Sequence, residues 1–71
     1  MSKVIKIAVD AMGGDGAPKK ILDGISHHYE KNKDTFYQIF GDSNQINKFL
    51  PKNLNKENFD IVHTSEIVEG S

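Results

Sequence analysis

The 71-residue chain has no cysteine, no tryptophan and no arginine, and only two prolines. Without cysteine there is no disulfide framework, no thiolate nucleophile and no thiolate metal site. Extracellular mini-proteins of this size rely on cross-links, so their absence points to a reducing, cytoplasmic setting. Charge of one sign is also missing: nine lysines face ten acids, for a net charge of −1. A nucleic-acid partner calls for a basic excess or a basic stripe, and neither is present. Long apolar runs are lacking too. The stretch around Ile7-Ala8-Val9 stops at Asp10, far short of the roughly 20 residues of a membrane-crossing helix. Lys3 and Lys6 precede a segment too short for the core of a signal peptide.

What is there is an alternation of strand and helix signals, with no repeat, linker or low-complexity tract. Lys3 to Val9 is rich in β-branched residues and nearly continuous in apolar character, the pattern of a parallel strand buried on both faces. Asp10, Gly13, Gly14 and Gly16 stop it, and Pro18 takes the first helical position, where its missing N–H costs nothing. Ile21, Leu22, Ile25 and Tyr29 then trace one stripe of an amphipathic helix that closes at Asn32-Lys33-Asp34. Thr35 to Phe40 reads as a second strand. Asp42 or Ser43 caps a short helix whose stripe is Ile46, Phe49 and Leu50, with Pro51 ending it. Lys52 to Asn58 is a polar connector, and its asparagines belong to a Lys/Asn/Ile bias assigned to composition. Phe59 to Val62 is a third strand, and Thr64 to Ser71 receives no assignment.

The order β-α-β-α-β predicts a Rossmann-like parallel sheet with right-handed crossovers. Three strands and two helices make only part of a three-layer α/β/α domain. Residues 1–71 therefore read as a single partial α/β domain, the amino-terminal piece of a longer protein.

The stretch Val9-Asp10-Ala11-Met12-Gly13-Gly14-Asp15-Gly16-Ala17-Pro18 carries the chemistry. It joins the carboxyl end of the first strand to the start of the first helix, which is where ligands bind in open α/β sheets. Glycines allow close backbone approach, and a helix start offers unpaired N–H groups and a partial positive charge. An anion site follows, with phosphate first among its ligands. The dinucleotide pattern G-x-G-x-x-G fails because Lys19 occupies the third glycine position, and no glycine is followed by lysine as a P-loop requires. Asp10 and Asp15 would repel an anion unless they orient loop N–H groups, cap the helix or hold a cation; Lys19 and Lys20 offset them. The competing reading is a plain tight turn, with Asp15 as a helix-start residue. His63 at the end of the third strand reads either as a substrate contact or as an ordinary turn residue. Gly41-Asp42 reads as a helix entry, and His27 and His28 as surface histidines without ligand partners.

Ile7-Ala8-Val9-Asp10-Ala11-Met12-Gly13-Gly14-Asp15, one variable residue (Gly16), then Ala17-Pro18, resembles the opening of the PlsX family, the phosphate acyltransferases of bacterial phospholipid synthesis. Phe40-Gly41-Asp42 and Ile61-Val62-His63-Thr64-Ser65-Glu66 resemble it more weakly, in the same order. The departure is length, because family members run to several hundred residues. The resemblance implies that an acyl-carrier-protein thioester and inorganic phosphate give acyl phosphate and free carrier protein. It also implies a Rossmann-like α/β/α fold, a homodimer, association with the inner face of the membrane, and no metal or organic cofactor. Asp10, Met12, Gly13, Gly14, Asp15 and His63 become the expected phosphate- or substrate-binding residues, with no catalytic acid or base assigned. Three readings stand side by side: the amino-terminal part of such an enzyme, inactive alone; a stand-alone phosphate- or nucleotide-binding module; and a truncated remnant that pairs with itself through an open sheet edge.

Overall fold

A computed structural model describes residues 3–64. Its elements are β1 (Ile5–Asp10), α1 (Lys19–Lys31), β2 (Thr35–Gly41), α2 (Ser43–Lys48), a 3-10 turn (Lys56–Asn58) and β3 (Phe59–His63). The β-α-β-α-β order holds, and both strand pairings are parallel, in the sheet order β1-β2-β3. This is the α/β architecture expected of one half of a doubly wound sheet. Ser65 and Glu66, the end of the third family-like stretch, lie outside the described residues.

The register sets the two faces of the sheet. Ile7 lies beside Tyr37 and Val9 beside Ile39, while Phe59 and Ile61 flank the same two residues from β3. This inner face meets the helices. Leu22, Ile25 and Tyr29 of α1 and Ile46 of α2 join Tyr37, Ile39, Ala11 and Leu54 in one buried cluster. Tyr29 and Tyr37 meet edge to face, with ring centroids 6.3 Å apart, a geometry aromatic quadrupoles favour. Burial pushes the Tyr37 phenol above its ordinary pKa, against a smaller lowering by its hydrogen bond to Thr35. Its hydroxyl also lies 2.7 Å from His28 Nδ1. His28 is thus exposed but tied to the core, whereas His27 is simply exposed.

Four expectations need correction. First, β1 is not buried on both faces: it is an edge strand, and Val4 and Ile5 are 63% and 60% exposed. Among the described residues only β2 has a neighbouring strand on each side, and both helices pack on the inner face. Second, Pro18 is the cap preceding α1 and not its first helical residue; its carbonyl accepts from Leu22 N–H at 2.9 Å. Third, α2 ends at Lys48, with Phe49 as its cap, so Phe49 and Leu50 pack on the core from outside the helix. Proline bars the helical region to Leu50 before it, and the chain leaves the helix one residue earlier still. Fourth, the connector asparagines are more than a bias of composition. Asn53 bonds Ser26 and Glu30, Asn55 donates to Tyr29 Oη, and Asn58 donates to the carbonyls of Lys33 and Thr35. An extended connector has carbonyls and amides to satisfy nearby, and short amide side chains can both donate and accept.

Candidate functional site

Every candidate residue sits at the carboxyl edge of the sheet. Asp10, the last residue of β1, folds the chain back on itself. Its Oδ1 accepts the Met12 N–H at 3.0 Å, and its carbonyl accepts the Gly13 N–H at 3.4 Å. The first of these is an Asx turn, in which a short carboxylate substitutes for a backbone acceptor. Asp10 therefore orients the loop, and the amides of Met12 and Gly13 are turned onto it. Ala11 is fully buried and donates to the Phe40 carbonyl at 2.9 Å, which anchors the loop to β2.

Beyond Gly13 the chain turns outward. Gly14 and Gly16 have φ of +103° and +82°, a region that residues with a Cβ rarely occupy. The Ala17 N–H closes this turn on the Gly14 carbonyl at 3.4 Å. None of the hydrogen bonds among the described residues uses the N–H groups of Gly14, Asp15 or Gly16. All three residues are exposed, shortly before the start of α1, where a helix macrodipole favours an anion. The Asp15 carboxylate takes part in no hydrogen bond among the described residues and does not cap α1, which has no side-chain cap. Lys19 pairs with Asp23 at 3.0 Å on the exposed helix face. Lys20 lies along the loop instead: a Cβ placed on Gly16 would sit 3.4 Å from its side chain. Lys20 is thus the lysine beside the turn.

His63 stands two strands away, paired with Gly41 in the register. Its Nδ1 accepts the Ser43 N–H at 3.0 Å. An accepting Nδ1 places the proton of the neutral ring on Nε2. His63 therefore braces the entry of α2, beside Asp42, whose Oδ1 accepts from Asn44 and Gln45. Gly41 links this corner to the loop. A Cβ at Gly41 would lie 2.8 Å from Met12 Cγ and 3.2 Å from Ile46 Cδ1. Sequence reasoning took Gly41 for a helix entry and missed this contact. The only sign of it was the weak Phe40-Gly41-Asp42 likeness. Met12, Gly41 and His63 thus run along one edge, while Asp10, Gly13, Gly14 and Asp15 form the exposed turn beside them.

Residues 5–71, which include the whole turn, match the family model described as "Fatty acid synthesis protein". The chain belongs to the PlsX family. It is 58% identical over 71 residues to the phosphate acyltransferase of Pelagibacter ubique strain HTCC1062, covering all of this chain and 21% of that protein. It is 46% identical over 66 residues to the phosphate acyltransferase of Lactobacillus gasseri, covering 93% of this chain and 20% of that one. The phosphate acyltransferase of a Listeria monocytogenes serotype 4a strain is 45% identical over 65 residues, 92% of this chain and 18% of its own. The chain thus spans about a fifth of the length of these curated PlsX relatives. Among the described residues, no helix is long and apolar enough to cross a membrane.

Proposed function

We propose that this chain supplies the amino-terminal, phosphate-facing portion of an acyl-carrier-protein:phosphate acyltransferase and is inactive by itself. In that reaction a phosphate oxygen bonds to the thioester carbonyl carbon, the carbon–sulfur bond breaks, and the released thiolate takes up a proton. Donors must meet the phosphate charge and the oxyanion of the tetrahedral intermediate, and holding two substrates together is itself a large share of the rate. The observation that carries the reading is a run of three amides, Gly14 to Gly16, that no hydrogen bond among the described residues uses, just before a helix start in a chain whose relatives are named for phosphate. In this reading Asp10 holds the loop, Met12 and Gly13 shape it, and Gly14, Asp15 and Gly16 present N–H groups to phosphate, with Lys20 beside them. His63 contributes by fixing the neighbouring strand end. No residue of this portion is assigned as catalytic acid or base. Homodimerisation and association with the inner face of the membrane extend the same proposal to the full-length enzyme.

Titration of the isotope-labelled chain with inorganic phosphate, followed by amide NMR, tests the loop. Saturable shifts at Gly14, Asp15 and Gly16 are expected, and unmoved resonances at all three would refute the anion site. Incubation of the chain with phosphate and an acyl-carrier-protein thioester should yield no acyl phosphate; turnover would refute the claim that it is inactive alone.

A further inference from the structure

The β1–α1 turn holds two carboxylates in opposite situations. Asp10 is committed, because its Oδ1 accepts the Met12 N–H at 3.0 Å. Asp15 is not. Its carboxylate accepts no hydrogen bond among the described residues, and α1 has no side-chain cap. Neither neighbouring lysine pairs with it: the ion pair among the described residues joins Lys19 to Asp23. Nor, among the described residues, does it group with other acids or histidines as a metal site requires. Yet Asp15 occupies the middle of the three successive amides that the fold leaves unused, with Gly14 before it and Gly16 after. Covalent geometry keeps an aspartate carboxylate within about 5 Å of its own amide nitrogen. An acid held there repels any fully deprotonated anion at short range.

One kind of anion turns that repulsion into a contact. At neutral pH inorganic phosphate keeps at least one proton, so it brings a donor as well as acceptor oxygens. Sulfate has the same tetrahedral shape and no proton. We infer that Asp15 is the specificity-determining residue of the turn: its carboxylate accepts the hydrogen bond of the protonated phosphate oxygen, so the site takes hydrogen phosphate and rejects fully deprotonated tetrahedral oxyanions. The unprotonated oxygens are then left to the N–H groups of the turn. Such a site discriminates by hydrogen bonding and not by size, as one built to bond a substrate hydroxyl rejects the analogue that lacks it. No proton is transferred in this step: the phosphate keeps its hydrogen, and an unprotonated oxygen remains for attack on the thioester carbon. The inference deepens the proposed function and rests on it for the presence of an anion at the turn.

A panel of oxyanions, titrated into the isotope-labelled chain and followed by amide NMR, tests it. Phosphate and arsenate, which both carry a proton near neutral pH, should give saturable shifts at Gly14, Asp15 and Gly16. Sulfate and selenate, which carry none, should bind at least ~10-fold more weakly. That factor is the low end for a hydrogen bond to a charged group, because Asp15 is exposed. Equal affinity for all four anions overturns the inference and leaves the anion site standing. Silence with all four overturns the anion site and the inference with it, so the two failures are told apart. Asp15→Asn supplies a second arm. The Asp15 side chain takes part in no hydrogen bond or ion pair among the described residues, so amide resonances of the buried residues Leu22, Ile25 and Ile39 should stay in place. The neutral amide removes the repulsion and offers a donor. Sulfate should therefore gain affinity, and the preference for phosphate over sulfate should fall to near parity. A preference that survives Asp15→Asn undiminished assigns the discrimination to other groups and overturns the inference.

Discussion

Gly41→Ala is the most informative single substitution in this molecule. The added methyl lies 2.8 Å from Met12 Cγ, 3.1 Å from Met12 Sδ and 3.2 Å from Ile46 Cδ1. Ile46 is fully buried and has little room to yield, so Met12, half-exposed and flexible, must move. Overpacking of this kind costs about 1–3 kcal/mol, and the backbone at φ +156° adds roughly 1–3 kcal/mol when a side chain is forced into it. The sum is about 2–6 kcal/mol, against a total of roughly 4–10 kcal/mol for a domain of this size. Urea unfolding followed by circular dichroism reads the loss. Met12→Ala placed in the Gly41→Ala background should return roughly 1–3 kcal/mol, the overpacking share, and leave the backbone share. Amide spectra should show the Met12-to-Gly14 turn displaced in the single variant and restored in the double. A Gly41→Ala chain within about 0.5 kcal/mol of the parent, or a double variant no more stable than the single, refutes the claim that Gly41 is there to admit Met12.

Other predictions follow from the same contacts. Gly14→Val should abolish the phosphate-induced shifts at Asp15 and Gly16, because φ +103° suits a β-branched residue poorly; His27→Ala, on an exposed helix position, should leave them unchanged. Leu22→Ala should cost about 2–5 kcal/mol in urea unfolding, since Leu22 is fully buried under α1. Asn58→Ala removes donors to two carbonyls and an acceptor for Tyr29 and should cost about 1–3 kcal/mol, a loss that Asn44→Ala, on an exposed position of α2, should not reproduce. The raised Tyr37 pKa means that the folded state holds its phenol proton more tightly than the unfolded chain does. That stability is complete below the ordinary tyrosine value of about 10 and is lost as pH rises from there through the folded pKa. Thermal unfolding from pH 8 to 11 should show the decline, and Tyr37→Phe should flatten it.

The residue pattern alone determined the order of elements, the parallel pairing and the place of the turn. Those are local matters. The β-branched run at Val4 to Val9 favours a strand, the Leu22/Ile25/Tyr29 spacing fits one helix stripe, and Gly14 and Gly16 release the backbone from the constraint of a Cβ. The long glycine-rich match likewise carried the family. What the linear pattern could not rank was competition between distant partners. Asp10 and Asp15 look alike in the sequence, but only Asp10 sits at a strand end where its oxygen reaches the Met12 amide. His63 and Ser43 are 20 residues apart and meet because β3 lies against the strand that feeds α2. Gly41 matters because the β1 loop crosses the end of β2, and the connector asparagines because the chain returns beneath α1. Strand burial was misread for the same reason: an apolar run records the neighbours a strand is suited to, while the sheet assembled from residues 3–64 decides how many it has.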